Sequence, residues 1–209
     1  MQKYVITIAR GFGSGGKEIG VKLGQRLGIP CYEQEILKMA SESSGISEAL
    51  FNLADEKVNK SPILRGVPFN YVAEPSDKRF TSDINLFNIQ SEIIREMAKN
   101  TSFIVVGKCA DFVLKDYCNV ASFYIEAPRE DCVASITKKL GVTEEEAHRL
   151  ISKTDKYRAD YYKYYTKGNY WTNPVNYDMT LNSARVGRDR CVDVIENYVK
   201  VKFGLQQPA

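Results

Sequence analysis

The first apolar run starts at Tyr4. Tyr4-Val-Ile-Thr-Ile-Ala9 is continuous rather than alternating, which is the pattern of a parallel strand covered on both faces, and it stops at Arg10 and Gly11. From Gly16 the period lengthens to that of a helix. Ile19, Leu23 and Leu27 recur on one stripe, Gly20 and Gly24 permit close backbone approach, and Gly28 followed by Pro30 predicts where the helix ends. Two more strand-length apolar runs, Phe103 to Gly107 and Val120 to Ile125, are each followed by helix-compatible sequence. A weaker strand at Tyr177 to Leu181 precedes a final helix predicted from about Gly187 to Phe203. Thr143-Glu-Glu-Glu146 carries a Thr-x-x-Glu capping box, so a long helix is predicted to begin near Thr143 and to run into a tyrosine-rich stretch. Between Lys57 and Ser82, Pro62, Gly66, Pro68 and Pro75 interrupt any periodicity and predict a long loop. Strands alternating with helices mean a doubly wound α/β sheet, and no internal repeat breaks that reading.

Composition narrows the class. With 209 residues, 44% apolar and 26% charged, the chain is excluded from global disorder and is long enough to bury a sizeable core in one α/β domain. A net charge of +3 is too small to argue for a genome-binding or membrane-surface protein. The five cysteines, Cys31, Cys109, Cys118, Cys132 and Cys191, contain no C-x-x-C pair, which argues against a disulfide framework or zinc knuckle and predicts reduced core thiols. The opening apolar run is too short for a signal peptide, and no stretch approaches the roughly 20 residues of a membrane span. The expectation is a cytoplasmic protein that binds neither membrane nor nucleic acid. The single histidine, His148, lies in a charged helical segment and is expected at the surface, which leaves no Ser-His-Asp, Cys-His or H-E-x-x-H machinery.

The distinctive chemistry lies in the first strand-to-helix turn. Gly11-Phe-Gly13-Ser14-Gly15-Gly16-Lys17-Glu18 satisfies G-x-x-x-x-G-K, then places Glu where Ser or Thr is expected. The glycines let successive N–H groups turn inward as an anion nest, the following helix N-terminus adds partial positive charge, and Lys17 reaches the outer phosphate oxygens. Gly11, Gly13, Ser14, Gly15, Gly16, Lys17 and Glu18 are therefore the expected ATP-binding residues. Two other readings compete: a plain turn that needs glycine for its angles, and a dinucleotide site, because Gly11-x-Gly13-x-x-Gly16 is also a G-x-G-x-x-G. The second leaves Lys17 idle and finds its acidic partner only ambiguously in Glu33 or Glu35.

Around that loop the chain resembles a family. Ile8-Ala9-Arg10-Gly11 to Ile19-Gly20, Leu27-Gly-Ile-Pro-Cys-Tyr32-Glu33, Val105-Val106-Gly107-Lys108, Asp155-Lys156-Tyr157-Arg158 with Tyr161-Tyr162, and Tyr177-Asp178 look like landmarks of the cytidylate kinase-like proteins. These are a branch of the P-loop nucleoside monophosphate kinases. The resemblance covers most of the chain, though the stretch from Leu50 to Ser82 matches none of its landmarks. It implies a P-loop NTPase-type three-layer α/β sandwich with a mainly parallel central sheet, a helical acceptor-binding insert and a lid. Laid on this chain, the core takes 1–32, 101–150 and 176–209, the insert 33–100 and the lid 151–175. It further implies that the loop binds ATP with Mg²⁺, that the segment after the second strand and the Gly-Arg after the third contact the acceptor, and that lid arginines stabilise the transferring charge.

The sequence departs from that pattern in three places. No hydroxyl follows the loop lysine, since Glu18 and Ile19 stand there, so Mg²⁺ is left to water, Ser14 or an acidic residue such as Glu18. Gly107-Lys108 stands for Gly-Arg, which keeps the charge but loses the bidentate fork. Of the lid's Arg-Asp-x-x-Asp-x-x-Arg, only Asp155-x-x-Arg158 survives, with Ile151 and Ser152 in place of the first pair.

Lys153 to Lys167 interleaves basic residues with Tyr157, Tyr161, Tyr162, Tyr164 and Tyr165. It reads either as a basic lid that closes Lys156, Arg158 and Lys163 over phosphates, or as tyrosines packing a helix onto the sheet beneath a solvated lysine face. An aromatic nucleic-acid groove is disfavoured by the low net charge. Tyr32 and Glu33 should reach the carboxyl edge of the sheet, where they either contact the acceptor or serve as ordinary packing for Tyr32 and a helix-start charge for Glu33; Asp111 either reaches the same crevice or serves as a helix-start charge. Arg10, ending a buried strand, requires an anionic partner. The expected function is transfer of the γ-phosphoryl of ATP to a small acceptor, with a nucleoside monophosphate favoured. In that reading Lys17, Arg158 and Lys156 are catalytic, and Arg10, Tyr32, Glu33, Lys108 and Asp111 bind the acceptor. The alternatives are a non-catalytic or regulatory nucleotide-binding protein, and a kinase of a small alcohol that uses Glu33 or Asp111 as base.

Overall fold

The computed structural model describes residues 3–56 and 71–205. In chain order the elements are β1 (Val5–Arg10), α1 (Gly16–Leu27), β2 (Cys31–Tyr32), α2 (Glu35–Ser44), α3 (Glu48–Glu56), α4 (Asp83–Asn100), β3 (Phe103–Val106), α5 (Ala110–Val113) and β4 (Val120–Glu126). They continue with α6 (Arg129–Leu140), α7 (Glu144–Tyr165), a 3₁₀ turn (Pro174–Asn176), β5 (Met179–Asn182), α8 (Ser183–Val186) and α9 (Arg188–Phe203). Five strands form one sheet in the order β2-β3-β1-β4-β5, and every pairing is parallel. β1 is central, with Val5 opposite Phe103 on one side and Val120 on the other.

The period-2 alternation of a strand explains why β1 and β3 read as continuous apolar runs. Val5, Ala9, Phe103 and Val105 face one core cluster, shared with Phe87, Ile94 and Ala98 of α4 and Tyr161, Tyr162 and Tyr165 of α7. Ile6, Ile8, Ile104 and Val106 face the other, shared with Ile19 and Leu23 of α1 and Val192, Ile195 and Val199 of α9. The three-layer sandwich follows from burying both faces.

The expected helix boundaries hold at α1, capped by Gly28, and at α7, where Thr143 accepts from the Glu146 amide at 3.2 Å. The last strand is shifted by two residues, because Tyr177 is buried against Tyr124 and the ladder begins at Met179. Residues 57–70 of the expected long loop lie outside the described residues, and 71–82 carry neither helix nor strand. The proposed lid boundary at 151 falls inside α7, which continues unbroken to Tyr165. The proposed insert includes α4, although Phe87, Ile94 and Ala98 belong to the sheet's own core. All five cysteines are unpaired, but the expectation that all are core thiols needs correcting. Cys118 is exposed, since it lies in the turn between α5 and β4, and Cys31 is half-buried. His148 is exposed, as expected.

Candidate functional site

β1 delivers the glycine loop to the carboxyl end of the sheet, at the point where the strand order reverses and where open α/β sheets bind ligands. Gly15 caps α1 with φ of 84°, and a Cβ there would lie 2.4 Å from Nε of Arg188. Ser14 is fully buried. Its hydroxyl donates to the Gly11 carbonyl at 2.9 Å, and its own carbonyl accepts from Ser183 Oγ at 2.6 Å, so Ser14 shapes the loop rather than presenting a hydroxyl outward. Glu18 lies against Lys22 at 3.0 Å and Arg188 at 2.7 Å. The hydrogen bond from Lys22 leads in holding its carboxyl below the ordinary range, against the opposing effect of burial.

Lys17 projects from the loop with 59% of its side chain exposed and pairs with Glu33 Oε2 at 2.6 Å. The other Glu33 oxygen accepts from Arg10 Nη2 at 2.5 Å, which supplies the anionic partner Arg10 requires at the end of a buried strand. Burial pushes the Glu33 carboxyl up, but Arg10 and Lys17 outweigh it and hold the pKa below its usual value. The same contact raises Lys17, chiefly through the hydrogen bond.

α7 grips the loop from the other side. Asp155 Oδ1 accepts from the Phe12 amide at 2.8 Å, and Arg158 donates to the Arg10 carbonyl at 3.0 Å while its guanidinium lies 5.5 Å from the Phe12 ring centroid. Burial, with the neighbouring charge of Arg10 next, lowers Arg158 to about 10. The surviving Asp-x-x-Arg fragment therefore brackets the backbone on either side of Gly11.

Two cavities open at this place. The loop-side cavity, about 670 Å³, is walled by the loop, by Val21 and Gln25 of α1, by Ser135 and Lys139 of α6, and by Arg188. The inner cavity, about 240 Å³, runs from Gly107 and Lys108 to Tyr157, Tyr161, Tyr162 and Trp171. Arg10, Glu33 and Arg158 line both, so they form the partition.

The inner wall is built by a strained turn. Gly107, Lys108 and Cys109 have φ of 80°, 60° and 50°, and left-handed backbone costs about 1–2 kcal/mol at each non-glycine residue. A Cβ on Gly107 would sit 2.3 Å from Arg10 Nη1. The turn sends Lys108, 4% exposed in its side chain, onto Asp55 Oδ2 at 2.5 Å. It also starts α5 so that Asp111 accepts from the Tyr162 hydroxyl at 2.7 Å. Burial raises Asp111 to about 6.

The structure thus brings together Arg10, Lys17, Glu33, Lys108, Asp111 and Arg158 with the loop. Two expected residues are not among them. Tyr32 lines neither cavity, because its ring packs on Phe103 at a centroid distance of 5.9 Å. Lys156 is exposed on α7 and lines neither cavity, since 154, 157, 158 and 161 take the inward face of the helix. Of the tyrosines, Tyr161, Tyr162 and Tyr165 pack in the core, and Tyr161 and Tyr162 also line the inner cavity.

Sequence reasoning missed Arg188, whose guanidinium donates to the Gly13 carbonyl at 3.2 Å and to Ser135 Oγ at 2.7 Å. A cation at a helix N-terminus opposes the helix dipole, and that anomaly was the available signal. Asp55 and Trp171 had no local signal. Among the described residues no group of three or more His, Cys, Asp or Glu could hold a metal ion. An ion here would share its ligands with bound phosphate, and the carboxylates lining the loop-side cavity are those of Glu18 and Glu33. No described helix is long and apolar enough to cross a membrane.

A family model described as the cytidylate kinase-like family matches residues 5–185. Comparison with curated proteins returns no match. Among solved structures, an uncharacterized protein of Eubacterium ventriosum superposes with a TM-score of 0.70 at 25% identity, over 95% of this chain and 99% of its own. A sugar kinase of a Janibacter species gives a TM-score of 0.55 at 14% identity, over 96% of each chain. Shikimate kinase of Bacteroides thetaiotaomicron gives 0.53 at 10% identity, over 94% of this chain and 98% of its own. The last two show the fold alone.

Proposed function

The chain belongs to the cytidylate kinase-like family, and from that premise we propose that it is a phosphotransferase moving the γ-phosphoryl of ATP to a small acceptor, with a nucleoside monophosphate as the favoured class. The observation that carries this reading is the pair of cavities meeting at Arg10, Glu33 and Arg158, with the loop lysine beside the partition. In this reading the loop amides and Lys17 hold the ATP phosphates in the loop-side cavity, and the acceptor enters the inner one. Mg²⁺, when bound with ATP, neutralises charge on the outer phosphates. Arg158, already desolvated and anchored to the loop backbone, stabilises charge that develops at the partition without having to reorganise. Lys156 has no part in this account. The aromatic wall of Tyr157, Tyr161 and Trp171 excludes water and supplies faces for a base. We assign the protein to the cytoplasm, where ATP is supplied.

A second reading, a small alcohol as acceptor, is favoured by Asp111 alone: a buried carboxylate near 6 on the inner cavity has the basicity to take a hydroxyl proton. The test is coupled ADP release from ATP and Mg²⁺ over a panel of CMP, dCMP, UMP, AMP and small alcohols. A strong monophosphate acceptor is the expected result. Turnover with alcohols only would replace the first reading by the second, and ATP binding without acceptor-dependent turnover would make the protein a nucleotide-binding module.

A further inference from the structure

The chain lacks the hydroxyl that ordinarily follows a P-loop lysine, and the structure removes two of the oxygens that could replace it. Ser14 Oγ is buried and donates to the Gly11 carbonyl, while Glu18 is held by Lys22 and Arg188. The remaining carboxylate on the loop-side cavity is Glu33, and its position is unusual. One oxygen belongs to Arg10, the other to Lys17, the residue a bound triphosphate would claim. In this structure Glu33 stands where a phosphate would satisfy the loop lysine.

Bound ATP changes that balance. A triphosphate offers Lys17 several anionic oxygens against one carboxylate, so Lys17 turns to the nucleotide. Glu33 is then left ionised at the edge of a polyphosphate with Arg10 as its only remaining cation partner from the pair. Like charges brought that close in a partly dry cavity repel unless a cation lies between them, and a hard divalent ion takes carboxylate and phosphate oxygens together.

We propose that Glu33 is the protein carboxylate that holds the Mg²⁺ of bound ATP, and that it becomes available for this only when the nucleotide draws Lys17 away. The proposal rests on the loop-side cavity being the ATP site. Glu33 then acts twice in succession, neutralising Lys17 before the nucleotide binds and taking the ion afterwards.

The test is the Mg²⁺ dependence of nucleotide binding, read by calorimetry on the full chain with a non-hydrolysable ATP analogue, in EDTA and in excess Mg²⁺. The wild-type protein is expected to gain about tenfold to a hundredfold in affinity from the metal. In Glu33→Gln, which preserves shape, that gain should fall to within about threefold, while affinity in EDTA stays equal or tightens because Lys17 no longer has to leave a carboxylate. Adding Glu18→Thr to Glu33→Gln should return most of the metal gain, and Glu18→Ala in the same background should not. A metal gain in Glu33→Gln equal to the wild type overturns the proposal. Should Glu33→Gln fail to fold, Glu33→Ala takes its place: a gain within about threefold supports the assignment and a full gain overturns it. A wild-type chain that binds the analogue in neither condition overturns the ATP-site reading and the Glu33 assignment with it; binding that is indifferent to metal in the wild type overturns the Glu33 assignment alone.

Discussion

The two cavities share a partition and differ in how they are made. The loop-side cavity takes nearly half of its wall from one short stretch, residues 10–18, and the lysine of that stretch, Lys17, is more than half exposed. The inner cavity draws on Arg10, Glu33, Asp55, Lys108, Asp111 and Trp171, from segments scattered through the chain, and its lysine is 4% exposed. One site is made by local backbone geometry and the other by long-range packing. Damage should separate accordingly: changes in the first should cost binding and turnover without stability, while changes in the second should cost both.

The sharpest way to break that distinction is Lys17→Ala. With its side chain 59% exposed, Lys17 adds little to the core, so the thermal midpoint should stay within a few degrees. A charge-assisted phosphate contact, by contrast, should be lost at a cost of about 10²–10³ in kcat/KM. A folded variant with wild-type nucleotide affinity and turnover would remove the loop from the site.

On the inner side, Asp55→Ala leaves the Lys108 ammonium buried without its ion-pair partner. Removing one partner of such a pair should lower stability by about 3 kcal/mol, read from the urea midpoint. Adding Lys108→Met should restore much of that, since the uncompensated charge is gone. Equal stability of Asp55→Ala and wild type would mean that the inner wall is as loosely held as the loop side.

Arg158 belongs to both cavities and therefore tests the partition itself. Its alanine variant should reduce kcat by roughly tenfold to a hundredfold, with a much smaller rise in the KM for ATP, because an interaction made mainly in the transition state lowers kcat and kcat/KM together. Lysine should rescue only in part, as a point charge does not reproduce the guanidinium fork. Wild-type turnover in Arg158→Ala with every active acceptor would return α7 to a packing role.

The smallest effect expected is a pH dependence at Asp111. Burial raises its pKa to about 6 in the folded protein. The unfolded value is about 4, so between those values the folded state keeps a proton that the unfolded chain has released. Stability should therefore fall as pH rises from about 4 to about 6, by an amount on the order of 2 kcal/mol, and level off above. Asp111→Asn should flatten that part of the curve, measured as unfolding free energy against pH. A slope unchanged by the substitution would place the titration elsewhere.

How much of this was legible depends on the distance over which each feature is encoded. The buried strands, the α1 boundaries and the Thr143 cap are short-range patterns, and each appeared where its spacing put it. Asp155 and Arg158 were visible as a fragment but not as a clamp, because their partners, the Phe12 amide and the Arg10 carbonyl, are backbone groups more than a hundred positions away. Lys156 and Arg158 looked alike in sequence. Only the rotation of α7 against the sheet turns one inward and leaves the other in solvent.

Chain order alone settles the glycine turn. Glycine spacing after a buried strand permits the positive φ seen at Gly13 and Gly15, and that geometry spans a handful of peptide units. What the turn faces is settled elsewhere. Glu33 meets Lys17 because β2 pairs beside β3 at the sheet edge, and Lys108 meets Asp55 because three successive left-handed residues aim it at α3. Arg188 reaches the loop because α9 packs against α1. Such contacts depend on the register of parallel strands and the rotation of helices, which are set by the burial of both sheet faces at once, so the sequence near any one of these residues carries no trace of its partner.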